Sequence, residues 1–290
     1  MSSFEDLRDF LARNPIRMPD STPDPQGGQI WRASWSDVSL DVHLAEANED
    51  SVLAAPVSPH SDATRTPGTY FIDREESPLG YAFAGWASLQ MELPLFVLDG
   101  CYGTAPIQLE EPDTTPQGEL IEIARAADTQ AILMARVHEK LKELAVATWR
   151  PEEDAIGPIR QLVKQRGSTL RDVSDRTSLP EATLRLVSRI GWWLAPVQVS
   201  ELALALDVPI SDLPRSDPLR DTPNLVRTIN SPRRRSSLRR LADNLRISEI
   251  ESRLEAAGQL LAAAGREVPG GDPDSRERWE QLLDVYLADA

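Results

Sequence analysis

The 290-residue chain has one cysteine, Cys101, and three scattered histidines, His43, His60 and His138. A single thiol excludes an internal disulfide framework, and isolated imidazoles do not assemble the usual zinc sites, so neither a structural metal nor a metal cofactor is expected. No stretch approaches the roughly 18 to 20 uninterrupted apolar residues that span a bilayer. The opening MSSFEDLRDFLARNP is charged and acidic where a secretory signal needs a basic end and an apolar run. These absences predict a cytoplasmic protein with no membrane contact. A Walker loop, GxSxG, HExxH and a dinucleotide fingerprint are also missing, which speaks against an enzyme and against a bound cofactor.

Lysine is scarce, whereas alanine, arginine, aspartate and proline are abundant, a bias typical of GC-rich bacterial genomes. The net charge of -15 disfavours a polyanionic partner at first sight. The charge is unevenly distributed, however. Residues 158–240 hold 15 Lys+Arg against 8 Asp+Glu, a net of +7, leaving 16 against 38, a net of -22, for the remainder. A basic middle between acidic flanks fits a DNA reader whose other parts repel phosphate.

The hydropathy pattern predicts an α+β, multidomain chain. Residues 1–27 form a short amphipathic helix (Phe4, Leu7, Phe10 and Leu11 behind Ser3) and a proline- and glycine-rich break. Residues 28–109 form a small closed β-barrel, with strands at Ile30–Trp35, Val38–Leu44, Ser51–Val57, Thr69–Ile72, Tyr81–Leu89 and Leu95–Leu98 separated by turns such as Asp99-Gly100. After an acidic linker, residues 118–150 lack helix breakers and form a helical connector whose stripe Leu133, Val137, Leu141 and Leu144 packs on the barrel or forms a dimer seam. Residues 157–213 form a compact helical domain. Pro214 to Pro232 reads as a second linker, leading to a C-terminal helical region over residues 233–290 that opens with Arg233, Arg234, Arg235, Arg239 and Arg240.

The helical domain alternates short apolar-faced helices with turns. Ile159, Leu162 and Val163 share one face, and Thr169 caps a second helix burying Leu170 and Val173. Leu179 plugs the following turn. A third helix, starting near Pro180, buries Leu184, Val187 and Ile190; a fourth, from about Pro196, buries Val199, Leu202, Ala203 and Leu206; and Val208–Leu213 closes the core. The order of helices, the core TLRDVSDRTSLPEATLRLVSR and the closing VSELALALDVPISDL resemble the Cro and lambda-repressor-like (XRE-type) helix-turn-helix family over about 55 residues.

That resemblance implies a transcription regulator binding double-stranded DNA as a homodimer, its third helix in the major groove. Glu181, Ala182, Thr183 and Arg185 would meet base edges and Arg189 the phosphates, with Arg185 able to grip guanine in two places. Thr169 and Arg171 would hold phosphate oxygens. Glu181 sets a negative charge near the phosphate path, and Leu179-Pro180 stands where that family prefers a polar cap. Arg233, Arg234 and Arg235 form a further phosphate-neutralising cluster, or else pair with the acidic flanks.

The run GGQIWRASW…DSVLAAPVSPHSD is similar to the opening of MazF and PemK-like SH3-type barrels, which implies RNA cleavage with Ser58 at one catalytic position. The arginine-proline step of that family is absent, since residues 37–42 read Asp-Val-Ser-Leu-Asp-Val. The barrel is therefore read as a sensing or pairing domain, with Trp31, Trp35, Trp86 and Tyr102 as core and His43 as structural. The competing function is an adaptor with a protein partner, of the antitoxin or phage-defence kind, in which Trp192 and Trp193 are exposed anchors.

Overall fold

The computed structural model describes residues 22–59, 68–107, 109, 129–264 and 274–289; the predicted N-terminal helix and the start of the predicted connector lie outside them. The chain divides into two units, Met1–Ala147 with Asn230–Ser236, and Thr148–Ile229 with Ser237–Ala290.

The first unit is built on an antiparallel sheet of β1 (Gln29–Trp35), β2 (Val38–Ala47), β3 (Ser51–Pro59), β4 (Thr69–Ile72), β5 (Phe83–Trp86), β6 (Met91–Pro94) and β7 (Leu98–Thr104). The order is β4-β5-β3-β2-β1-β7, with β6 also on β3. The predicted barrel is not closed. β3 divides its outer edge between two partners, Ser51–Ala54 with β6 and Val57–Pro59 with β5, so the sheet forks there and ends at β4 rather than running round to meet β7.

Two predicted features of this unit change. Leu95–Leu98, read as a strand, contributes a 3-10 turn at Leu95–Val97. Asp99-Gly100, read as a turn, lies inside β7, where irregularities in the β1 register accommodate the glycine.

Both faces of the sheet are covered by apolar side chains. One gathers Ile30, Val57, Ile72, Leu79, Phe83 and Ala105. On another cluster Trp86 and Leu89 meet Met134 and Val137 of helix α1 (Thr129–Ala145), with Leu40 and Leu133 at its edge. Val137, Leu141 and Leu144 are buried and α1 lies along β2 and β6, so the predicted stripe packs on the sheet. Each such side chain contributes roughly 1.5 to 3 kcal/mol of burial. His43 is fully buried, with Nδ1 2.7 Å from the Tyr70 hydroxyl. Burial lowers its pKa to about 4, so the ring is neutral at ordinary pH, in keeping with a structural role.

The second unit is helical. A short pair, β8 (Ala155–Ile156) with β9 (Arg215–Ser216), joins the two ends of a set formed by α2 (Arg160–Gln165), α3 (Leu170–Ser174), α4 (Glu181–Arg189), α5 (Pro196–Ala205) and a 3-10 turn at Ile210–Asp212. Gly191 is required at this closure: its φ is +85°, and a Cβ there would stand 2.1 Å from the Ser216 hydroxyl oxygen. Then follow α6 (Pro223–Asn230), α7 (Pro232–Leu245), whose first turn as far as Ser236 belongs to the first unit, α8 (Glu249–Ala264) and α9 (Arg276–Asp289). The stretch Pro214–Pro232 is thus no linker. Pro223 and Pro232 occupy first helical positions, where the missing N–H costs nothing. Arg253, fully buried on α8, donates to the Ile229 carbonyl at 2.7 Å and to Glu249 at 2.8 Å, tying α8 to the end of α6.

Candidate nucleic-acid interface

The α3–turn–α4 segment forms because each break in its apolar pattern coincides with a polar group able to end a helix. Thr169 caps α3 in a capping box: its hydroxyl oxygen accepts from the Asp172 N–H at 3.2 Å, while its own N–H and hydroxyl donate to the Asp172 carboxylate at 2.8 and 2.7 Å. These bonds hold the Asp172 pKa below the usual carboxylate value. The helix is short because the Thr177 hydroxyl donates to the Val173 carbonyl at 3.0 Å and the Ser174 hydroxyl to the Leu179 carbonyl at 3.1 Å, folding the chain back. Leu179, buried, then fixes the turn to the core.

α4 is amphipathic. Leu184, Val187 and Ser188 are buried; Glu181, Ala182, Arg185 and Arg189 are exposed. At about 100° per residue those four exposed positions fall within a single arc roughly 100° wide. Thr183, predicted to join them, is half-buried on the flank of the helix, outside that arc. Ile190 and Val199 are likewise half-buried rather than core. Arg185 donates to Glu181 one turn earlier at 2.7 Å, with both side chains more than half exposed, so this pair is worth about 0.3 to 0.5 kcal/mol. Arg171 is exposed on α3, and Thr169 is exposed but spends its hydroxyl on the cap.

The arginine cluster does not act as one surface. It lies in α7, not beyond a flexible linker. Arg233 is exposed and pairs with Asp24 at 2.7 Å, and Arg234 is half-buried. Arg235 is 1% exposed and donates to the carbonyls of Val97 and Ser34 at 2.5 and 2.6 Å, with its guanidinium 5.8 Å from the centre of the Trp35 ring. Its predicted phosphate contact is therefore withdrawn: the side chain is committed to the first unit. Within residues 157–213 the charge is nearly balanced, seven Lys+Arg against six Asp+Glu.

The structure also places Trp192, Trp193 and Ser58. Trp192 is 9% exposed; it exchanges backbone hydrogen bonds with Ile156 at 2.9 Å and packs edge-on against Trp193, whose indole N–H donates to the Glu153 carbonyl at 2.8 Å. An exposed tryptophan pair is therefore ruled out. Ser58 pairs with Ala84 and, by the alternation of β3, faces opposite to Val57. Val57 shares its face with Asp41 and Arg32, so Ser58 and the Arg32 cation point to opposite sides of the sheet.

Sequence reasoning missed Glu201, on α5. Its carboxylate accepts from the Ser178 N–H at 2.8 Å and from the Ser178 hydroxyl at 2.6 Å, and these bonds lower its pKa. Nothing in the sequence marks this contact, which joins groups 23 residues apart.

Among the described residues no group of three or more His, Cys, Asp or Glu is placed to hold a metal ion, and no helix is long and apolar enough to cross a membrane. Searches of family models, curated proteins and solved structures find no match to this chain.

Proposed function

We propose that the protein is a DNA-binding transcription regulator that places α4 in the major groove of double-stranded DNA. The observation that carries this reading is the single exposed arc of Glu181, Ala182, Arg185 and Arg189 on a helix whose opposite face is buried and whose approach is a tight, hydrogen-bonded turn. Arg185 leaves a weak exposed pair with Glu181 to meet guanine, an exchange that costs little and returns roughly 1 to 3 kcal/mol of base discrimination. Arg189, one turn further on, and Arg171 at the start of α3 lie toward the phosphates. A single unit of this size covers too little DNA to choose among genomic sites, so two copies reading a two-fold operator complete the proposal. The first unit serves as the sensing or pairing part.

The test is a fluorescence-anisotropy titration on duplex DNA from the region upstream of the protein's own coding sequence. Arg185→Ala combined with Arg189→Ala is expected to weaken binding about tenfold or more, given 1.4 kcal/mol per factor of ten. Absence of binding at low salt, or an unchanged affinity in the double variant, would sink the reading.

A second reading has its own observation. Leu204 and Val197, seven residues apart on α5, are 83% and 65% exposed, an apolar stripe suited to a protein partner. The adaptor reading predicts that Leu204→Glu abolishes a protein contact; the regulator reading predicts that Arg185→Ala is the damaging change.

A further inference from the structure

We infer that Glu201 is a positioning residue for DNA recognition: from α5 it clamps the turn between α3 and α4 and so sets the direction in which the exposed arc of α4 points. The inference rests on the reading of α4 as the DNA-contacting helix. Its starting point is the way the turn is held. Ser174 and Thr177 bond to backbone groups within five residues, and the Arg176 side chain donates back to the Asp172 carbonyl and the Ser168 hydroxyl. These bonds shape the turn but tie it to nothing outside α3 and the residues that flank it. Ser178 differs, since its N–H and its hydroxyl both donate to one carboxylate on another helix, at 2.8 and 2.6 Å. Two donors on one anion fix position and direction together.

The place of the clamp matters because α4 starts without a side-chain cap. Its N-cap is Pro180, and no side chain accepts from its first turn. Leu184 and Val187 fix the buried face of α4, while at its uncapped start the chain is held by Leu179, which is buried, and by Ser178, which is exposed and held by Glu201. α5 is a firm anchor for such a clamp, with Leu202, Ala203 and Ala205 buried and Gln198 accepting from the Ala195 N–H at its start. A helix free to rock about Leu179 presents Arg185 correctly only part of the time, and apparent affinity falls in proportion to the competent fraction.

The experiment compares full-length wild type, Glu201→Ala and Glu201→Gln, the last retaining an acceptor oxygen of the same reach. Amide hydrogen exchange on the free protein is read at Ser178, and affinity on the upstream duplex. Glu201→Ala is expected to speed Ser178 exchange about tenfold and, as the competent fraction drops, to weaken DNA binding about fivefold. Glu201→Gln is expected to restore most of both, with a circular-dichroism melt confirming that all three proteins are folded. Unchanged exchange at Ser178 in Glu201→Ala, or faster exchange with unaltered DNA affinity, overturns the inference. If the wild type binds no DNA, the proposed function fails at that step, while the exchange comparison still decides whether the clamp exists.

Discussion

Arg235 offers a sharp test of how the first unit is held together. Its guanidinium is buried, bonded to the carbonyls of Val97 and Ser34, and lies beside the Trp35 ring. Truncation to alanine removes two charge-assisted bonds, each worth about 1.5 to 3 kcal/mol, and also relieves the cost of keeping that cation out of water. The net destabilisation expected is about 2 to 4 kcal/mol. Arg233, exposed and paired with Asp24 at the surface, is the control, and Arg233→Ala should cost under about 1 kcal/mol. Arg235→Lys should fall between them, because a compact ammonium does not span both carbonyls as the guanidinium fork does. The assay is denaturant unfolding followed by tryptophan fluorescence, with amide exchange in β1 reporting on this unit alone, since a chain with two units need not unfold in one step. Equal unfolding midpoints for Arg235→Ala and Arg233→Ala would refute the reasoning.

Other expectations follow from the same geometry. Burial holds the His43 pKa at about 4, below its ordinary value of 6.5, so the unfolded chain binds that proton more readily than the folded one. Stability is therefore fully present above pH 6.5 and declines as pH falls toward 4, by on the order of 3 kcal/mol; His43→Gln should flatten that part of the curve measured by unfolding at pH 7 and pH 5. Gly191→Ala should lower stability by at least about 1 to 2 kcal/mol through its positive φ alone, and Ser216→Ala, which removes the clashing hydroxyl, should restore only the part beyond that; a thermal melt of the single and double variants decides. Leu204→Glu, at a position 83% exposed, should shift the melt by less than about 0.5 kcal/mol, and a larger loss would mean that this face of α5 is covered.

What could be read from the sequence was set by local chemistry. Thr169 and Asp172 stand three apart, a spacing that makes a capping box, and Leu184 with Val187 mark the inner face of α4; both features come from residues close in the chain. β1 to β4 were legible for the same reason. The fork in the sheet was not, because the division of β3 between β5 and β6 is a choice of partner that alternation does not encode. The prolines of 214–232 suggested a linker, yet at the start of a helix proline is compatible with the fold, so composition pointed the wrong way. The Arg235 site depends on carbonyls 138 and 201 residues away, and the Ser178 clamp on a carboxylate 23 residues away. A run of arginines looks the same in sequence whether its members face solvent or a buried carbonyl.

The central claim is that α4 reads double-stranded DNA as one of a symmetric pair. A hydroxyl-radical footprint of the full-length protein on its own upstream region tests this most directly. The account predicts protection of two inverted half-sites about 10 base pairs apart centre to centre, or a multiple of that, lost as salt is raised and lost in the Arg185→Ala, Arg189→Ala double variant. Uniform cleavage at low salt, or protection that the double variant retains, would contradict it.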